Sequence, residues 1–291
     1  MPALVTSVGL FRPQPATSYC YPDHIDADSL AALPSKPGVY VFEDERKCPL
    51  YIGKSVNIRS RVRAHLRTPE EARLLHHTRA ISYFRTAGEI GALLLESRLI
   101  KERQPVHNKK LRRTREMCSF RLVQDAPQLV HARELDFAAT NGLYGLFATR
   151  RAALERLQTL IDANKLCRVL CGLERAMPGK PCFACQLGRC AGACVGRESR
   201  AEHGARLRTA LENVQVVTWP YAGPVGLIEE CDGWRQMHVV NRWCYLGTLD
   251  EPFDPAQLAG APALERAAFD VDTYAILLKP LLAGEMTVRP L

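Results

Sequence analysis

The chain has 291 residues, of which 47% are hydrophobic and 24% charged, with a formal net charge of +8 and eleven cysteines. That is the composition of a folded protein with room for two modest domains, and it argues against a disordered chain. No stretch approaches the roughly 20 consecutive apolar residues of a membrane span. Met1 to Leu10 has no Lys or Arg ahead of a long apolar run, so no secretory signal is read there and the cytosol is the expected location.

In chain order, residues 1–28 are rich in Pro and aromatics without periodicity and are expected to form an irregular lead-in. Ser29 to Leu33 suits one helical turn stopped before Pro34. Val39–Phe42 and Leu50–Ile52 are short β-branched and aromatic runs, and the polar Glu43–Pro49 between them reads as a hairpin loop. Ser55 is the expected N-cap of a helix whose Ile58, Val62 and Leu66 recur every four residues, a buried stripe. Arg61 and His65 share a different stripe of that helix and should project together. Ile81–Arg85 is a third strand, and Glu89–Arg103 a strong helix ended by Pro105.

Further on, Arg150–Leu166 has helical periodicity through Leu154, Leu157 and Ile161. A cysteine-rich segment follows, and residues 201–213 read as helix. Val225–Leu249 reads as a β-hairpin turning at Asp232-Gly233, and the last 40 residues give no firm pattern. The fold class is α+β. The predicted organisation is a small domain at 29–115 with a short antiparallel sheet flanked by helices, a linker helix and cysteine-rich metal-binding segment at 116–200, and a smaller C-terminal region at 201–291.

Positive charge is clustered rather than spread. Lys54, Arg59, Arg61, Arg63 and Arg67 form one run without an acidic residue, and Lys109, Lys110, Arg112, Arg113 and Arg115 form another. Two such runs flanking one candidate site favour contact with phosphates over a merely solvated face. Six of the cysteines lie between Cys167 and Cys194, a density that in a reducing compartment points to metal rather than disulfides.

Gly38-Val39-Tyr40 and Tyr51-Ile52-Gly53-Lys54, with Arg61, His65, the Ala92-Leu93-Leu94-Leu95-Glu96 run and Gln104-Pro105-Val106-His107-Asn108, resemble a GIY-YIG nuclease domain. The resemblance is greatest to the N-terminal domain of UvrC, the bacterial nucleotide-excision repair nuclease. It implies a DNA endonuclease that hydrolyses a phosphodiester with one divalent ion, Mg2+ or Mn2+, held by Glu96. Magnesium tolerates a single carboxylate because it keeps several waters and takes phosphate oxygens. Leu93 and Ile100 bracket Glu96 at helical spacing and set it near the apolar face, where a carboxylate is costly without a cation.

The resemblance further implies Tyr51, with Tyr40 beside it, as general base, although a phenol with a pKa near about 10 needs nearby positive charge from Lys54, Arg61 and the ion. Which of the two tyrosines takes the proton stays open. Arg61 would contact the scissile phosphate, with Arg59, Arg63, Arg67, Lys109, Lys110, Arg112 and Arg113 binding DNA around it. His65 stands where UvrC proteins often carry Tyr, with water orientation or a proton relay as its role, and Asn108 would order the loop.

UvrC also carries four cysteines directly after its nuclease domain. The matching set is Cys171, Cys182, Cys190 and Cys194, which the resemblance assigns to a [4Fe-4S] cluster. Zinc is the alternative donor-set reading, since Cys167 and Cys185 are extra and Cys182-Phe183-Ala184-Cys185 is itself a zinc-type half-site.

The similarity covers about residues 29–200. Nothing after residue 201 resembles the ribonuclease H-like half of UvrC, so the expected role is that of a short UvrC homologue making only the 3′ incision on damaged double-stranded DNA loaded with UvrB by UvrA. The alternatives are a stand-alone GIY-YIG endonuclease independent of UvrB, and a non-catalytic metal-bearing DNA-binding adaptor.

Overall fold

The computed structural model describes residues 22–111, 117–175, 177, 180–258 and 268–291. Arg112, Arg113 and Arg115 lie outside them. The first unit is a three-stranded antiparallel sheet in the order β2-β1-β3, from β1 (Gly38–Glu43), β2 (Pro49–Ser55) and β3 (Ala80–Arg85). The central strand is buried on both faces, which is why Gly-Val-Tyr-Val-Phe reads as a nearly unbroken apolar run. Tyr40 and Phe42 point into one core with Ile58, Val62 and Leu66 of α2 (Ile58–Leu66), Leu74 and Leu75 of α3 (Ala72–His77), and Leu33 beyond α1 (Ala27–Ala31). Val39 and Val41 point the other way, with Ile52, onto Leu99 and Ile100 of α4 (Glu89–Arg103).

Two boundaries differ from expectation for local reasons. Ser55 closes β2 and accepts from the Asn57 amide, while Asn57 is the actual N-cap of α2, accepting from Ser60 N at 3.0 Å. The turn at Ser29 begins at Ala27 because Asp26 caps it.

Residues 117–213 contain a sheet that the linker reading missed: β4 (Cys118–Val123), β5 (Ala126–His131) and β6 (Leu143–Phe147), in the order β5-β4-β6. α5 (Arg150–Ala163) and α7 (Arg200–Glu212) share one core with it, through Phe120, Leu157, Ile161, Leu207 and Leu211. α7 carries a capping box between Ser199 and Glu202, so its start is strongly specified. Between these helices the described residues of the cysteine segment form the one-turn α6 (Phe183–Gln186) and a 3-10 turn at Ala193–Val195.

The C-terminal sheet is larger than one hairpin. β7 (Val225–Cys231) and β8 (Trp234–Asn241) turn at Asp232 and Gly233, both at positive φ as a tight hairpin requires. β9 (Cys244–Asp250) follows through Arg242 and Trp243, and β10 (Thr287–Pro290) adds to the other edge after α8 (Val271–Leu282), giving β10-β7-β8-β9.

α4 lies between the first and third sheets. Its Leu94 enters the core built by Val225, Leu227, Val240, Trp243, Tyr274 and Leu277, while Leu99 and Ile100 face the first sheet. A helix buried on two sides carries apolar residues around much of its circumference. Its N-cap is Gly88, which has no side chain to give; instead Glu229 of β7 accepts from the Ile90 and Gly91 amides at 3.0 and 2.7 Å. Lys101, near its other end, pairs with Asp270 and Asp272 at 2.8 Å each.

Candidate active site

The pocket lies where β1, β2, α2 and α4 meet. Tyr40 is almost fully buried and pairs in register with Gly53, and a Cβ at position 53 would stand 2.5 Å from the Tyr40 hydroxyl. The glycine of Tyr-Ile-Gly is therefore the space that the first tyrosine's phenol occupies. Asn108 holds β2 from its outer side, donating to Ile52 O and accepting from Ile52 N, both at 2.9 Å, like a short extra strand. Its part is to fix the strand that carries Tyr51.

Tyr40 Oη lies 2.7 Å from His65 Nε2, and the other ring nitrogen of His65 pairs with Glu71. His65 is 3% exposed, not the surface residue a lone helical histidine suggests. Burial lowers its pKa, partly offset by Glu71. Glu71 escaped the sequence reading. The run Thr68-Pro69-Glu70-Glu71, with Pro at the start of a turn and acids after it, is the helix-start signal that marks its place.

Arg61 is exposed one turn before His65 and its charge acts on both the Tyr40 and Tyr51 phenols, whose ring centroids lie 6.3 Å apart. Burial pushes both phenols above their ordinary range, and it outweighs the Arg61 charge that favours phenolate. Lys54 does not help them as expected. Its ammonium pairs with Glu89, and its backbone amide donates to Glu96 Oε1 at 3.1 Å. Its charge bears on Glu96, whose carboxyl burial pushes up despite that bond. A half-buried carboxylate so penalised is a place for a cation, and a single carboxylate suits magnesium or manganese, which take their remaining ligands from water and phosphate oxygens.

Of the basic residues nominated for DNA, Arg63, Lys109 and Lys110 are exposed. Arg59 is half-buried and donates from Nε to Leu33 O at 2.6 Å, which ties it to the chain just after α1. Arg67 is exposed at the C-cap of α2.

The second cluster needs a correction. Cys182, Cys190 and Cys194 converge with Cys167, not Cys171, and the four sulfurs lie within 4.8 Å of one another. Cys171 packs instead in the core of the middle sheet, beside Cys118, Leu166 and Leu207. The chain turns after α5: Cys171 N bonds Cys167 O, so the two thiols leave one tight turn in different directions. Spacing alone does not tell which thiol of such a turn faces inward.

Burial pushes Cys167 up to about 12 and Cys190 up to about 11. Cys194 goes down, because bonds from Cys182 and Cys167 outweigh its burial. Four mutually adjacent thiols are the donor set of a zinc ion or an iron–sulfur cluster. Arg168, next to Cys167 in the chain, is paired with Asp162 at 2.9 Å.

This sheet, with tyrosines on facing strands and the arginine and glutamate on flanking helices, defines a UvrC-type nuclease. The UvrC-like GIY-YIG domain matches residues 36–109, the UvrC/Cho excinuclease middle domain residues 117–213, and the excinuclease Cho C-terminal domain residues 224–291. Excinuclease cho of Escherichia coli K12 is 50% identical over 277 residues, 95% of this chain and 92% of that protein. The chain belongs to the excinuclease Cho family.

UvrABC system protein C of Caldicellulosiruptor saccharolyticus is 31% identical over 64% of this chain but only 32% of its own length. The GIY-YIG N-terminal endonuclease domain of UvrC from Thermotoga maritima, crystallised with its catalytic magnesium, is 30% identical over 28% of this chain and 92% of that one, at a TM-score of 0.26.

Proposed function

We propose that this nuclease makes a single nick on the 3′ side of a lesion in double-stranded DNA loaded with UvrB, UvrA acting upstream. The observation that carries this is the convergence of Tyr40, Tyr51, Arg61, His65 and Glu96 in one pocket of a chain half identical to an excinuclease along 95% of its length. Arg61 reaches the scissile phosphate and neutralises the charge that builds on it. Tyr51, between Tyr40 and Glu96, takes the proton of the attacking water. Glu96 holds a magnesium or manganese ion, which when bound supplies Lewis-acid stabilisation of the phosphate and leaving oxygen. Arg63, Lys109 and Lys110 bind the flanking backbone. Cys167, Cys182, Cys190 and Cys194 hold an iron–sulfur cluster that fixes the fold of the middle unit. The substrate places the protein in the cytosol.

An incision assay on end-labelled damaged duplex tests the reading. One 3′ nick is expected only with Mg2+ and both UvrA and UvrB present. Cutting without UvrB would favour a stand-alone enzyme, and no cutting at all would favour a DNA-binding adaptor. Anaerobically purified protein should absorb visible light and carry iron and sulfide; a colourless protein with one zinc per chain would overturn the cluster.

A further inference from the structure

We infer that Glu71 is a positioning residue that sets the direction of a proton wire from Tyr51 through Tyr40 to His65, an assignment that rests on the hydrolytic mechanism proposed above. An ionised carboxylate only accepts hydrogen bonds. Facing Glu71, His65 Nδ1 must therefore carry the ring proton, which leaves a lone pair on Nε2. Tyr40 Oη, 2.7 Å away, donates to that lone pair. Its oxygen is then free to accept from the pocket side, where the Tyr51 ring lies 6.3 Å away centre to centre and Arg61 stands one turn before His65 on the same helix. One acceptor-only group at the inner end thus orients every hydrogen bond out to the phenol nearest the phosphate.

The surroundings exclude an ordinary surface ion pair. His65 is 3% exposed, and its ring lies within 5.4 to 5.6 Å of the rings of Tyr40, Phe42 and Tyr51. Glu71 ends a 3-10 turn begun by Pro69, where its amide bonds Thr68 O at 3.1 Å, so the backbone holds the carboxylate against the imidazole. The charged groups that face this wire are Arg61 from α2, Glu71 from the turn after it and Glu96 from α4. The Glu71 charge by itself raises the Tyr51 pKa, which leaves less of it as phenolate at neutral pH. Its use to the site is orientation.

During hydrolysis the water oxygen bonds phosphorus, and the water proton goes to Tyr51. The Tyr51 proton passes to Tyr40, and that of Tyr40 to His65 Nε2. The bond from phosphorus to the leaving sugar oxygen breaks with its electron pair, and that oxygen takes a proton from solvent. The imidazolium rests against Glu71 until it returns its proton to solvent.

The test has two arms on the full chain. In single-turnover nicking at pH 7, Glu71→Ala should fall about 100-fold, the usual worth of an oriented proton acceptor, and Glu71→Asp should recover most of it. The wild-type rate should level off as pH rises. The Glu71→Ala rate should keep climbing, because its phenols must lose their proton to hydroxide. A defect below twofold, or one equal at every pH, would overturn the assignment.

In the second arm, nitrogen NMR of protein labelled at histidine, with His65 assigned through His65→Gln, should show the Nδ1–H tautomer in the wild type and its loss in Glu71→Ala. An Nε2–H tautomer in the wild type would overturn the wire. This arm needs no substrate, so it decides on Glu71 even where a wild type that fails to nick rejects the proposed function.

Discussion

The tyrosine pocket and the cysteine pocket both gather groups that could hold a metal ion, yet they are held in opposite ways. Every side chain of the first stands on a regular element, or on a turn beside one, and has a protein partner: Tyr40 on His65, His65 on Glu71, Asn108 on Ile52, Glu96 on the Lys54 amide. The second stands on turns and one-turn helices, and its thiols face chiefly one another and nearby amides. A site assembled on strands and long helices can keep its shape while waiting for an ion. A site assembled on turns draws its folding energy from the ion.

The largest effect that would sharpen this contrast is on catalysis without folding. Glu96→Ala and Arg61→Ala should each lower nicking by at least about 1000-fold, with melting temperature and DNA affinity nearly unchanged. Parallel loss of binding, read by fluorescence anisotropy, would break the contrast. The cysteine pocket should answer in reverse. Cys190→Ser should lose the bound metal and the cooperative melting of the middle unit, whereas Cys171→Ser should keep the metal and cost only about 1–3 kcal/mol for a buried hydroxyl. Metal per chain and thermal melts on both variants check it; metal loss in Cys171→Ser would return that thiol to the ligand set.

A smaller effect tests how the C-terminal sheet holds α4. Glu229→Gln should destabilise by about 2 kcal/mol, since a charged acceptor of two helix amides is replaced by a neutral one. Burial raises the Glu229 carboxyl, but the bonds from His238, Gly91 and Ile90 outweigh it and hold the group below its ordinary value. Its stabilisation is therefore complete above the ordinary carboxylate range and is lost as pH falls through the lowered folded value. The gap in stability between wild type and Glu229→Gln should shrink accordingly on acidification, measured by denaturant melts from neutral pH downward.

The first domain was legible because its determinants are local. The β-branched and aromatic run Val39–Phe42, the four-residue stripe of Ile58, Val62 and Leu66, and the Glu89–Arg103 run each specify an element by themselves. The middle sheet was not, because β5 is only partly buried along its whole length and carries no alternation to read. β9 was merged into a longer hairpin because its turn uses Arg242 and Trp243 at positive φ, not the glycine or asparagine such a turn usually shows. Lys54 was expected to serve the phenols because sequence places it beside Tyr51; the fold sends its ammonium to Glu89.

Residue types at characteristic spacings were enough to mark this chain as a nuclease and to nominate Tyr40, Tyr51, Arg61, His65 and Glu96 for its centre. Only the tertiary structure decided that His65 is buried between Tyr40 and Glu71, that Cys167 replaces Cys171 among the four thiols, and that Glu229 caps the helix bearing Glu96. Each of these is a contact whose geometry is set by how a turn or a distant strand is packed. Spacing along a chain says which groups can meet, and packing says which of them do.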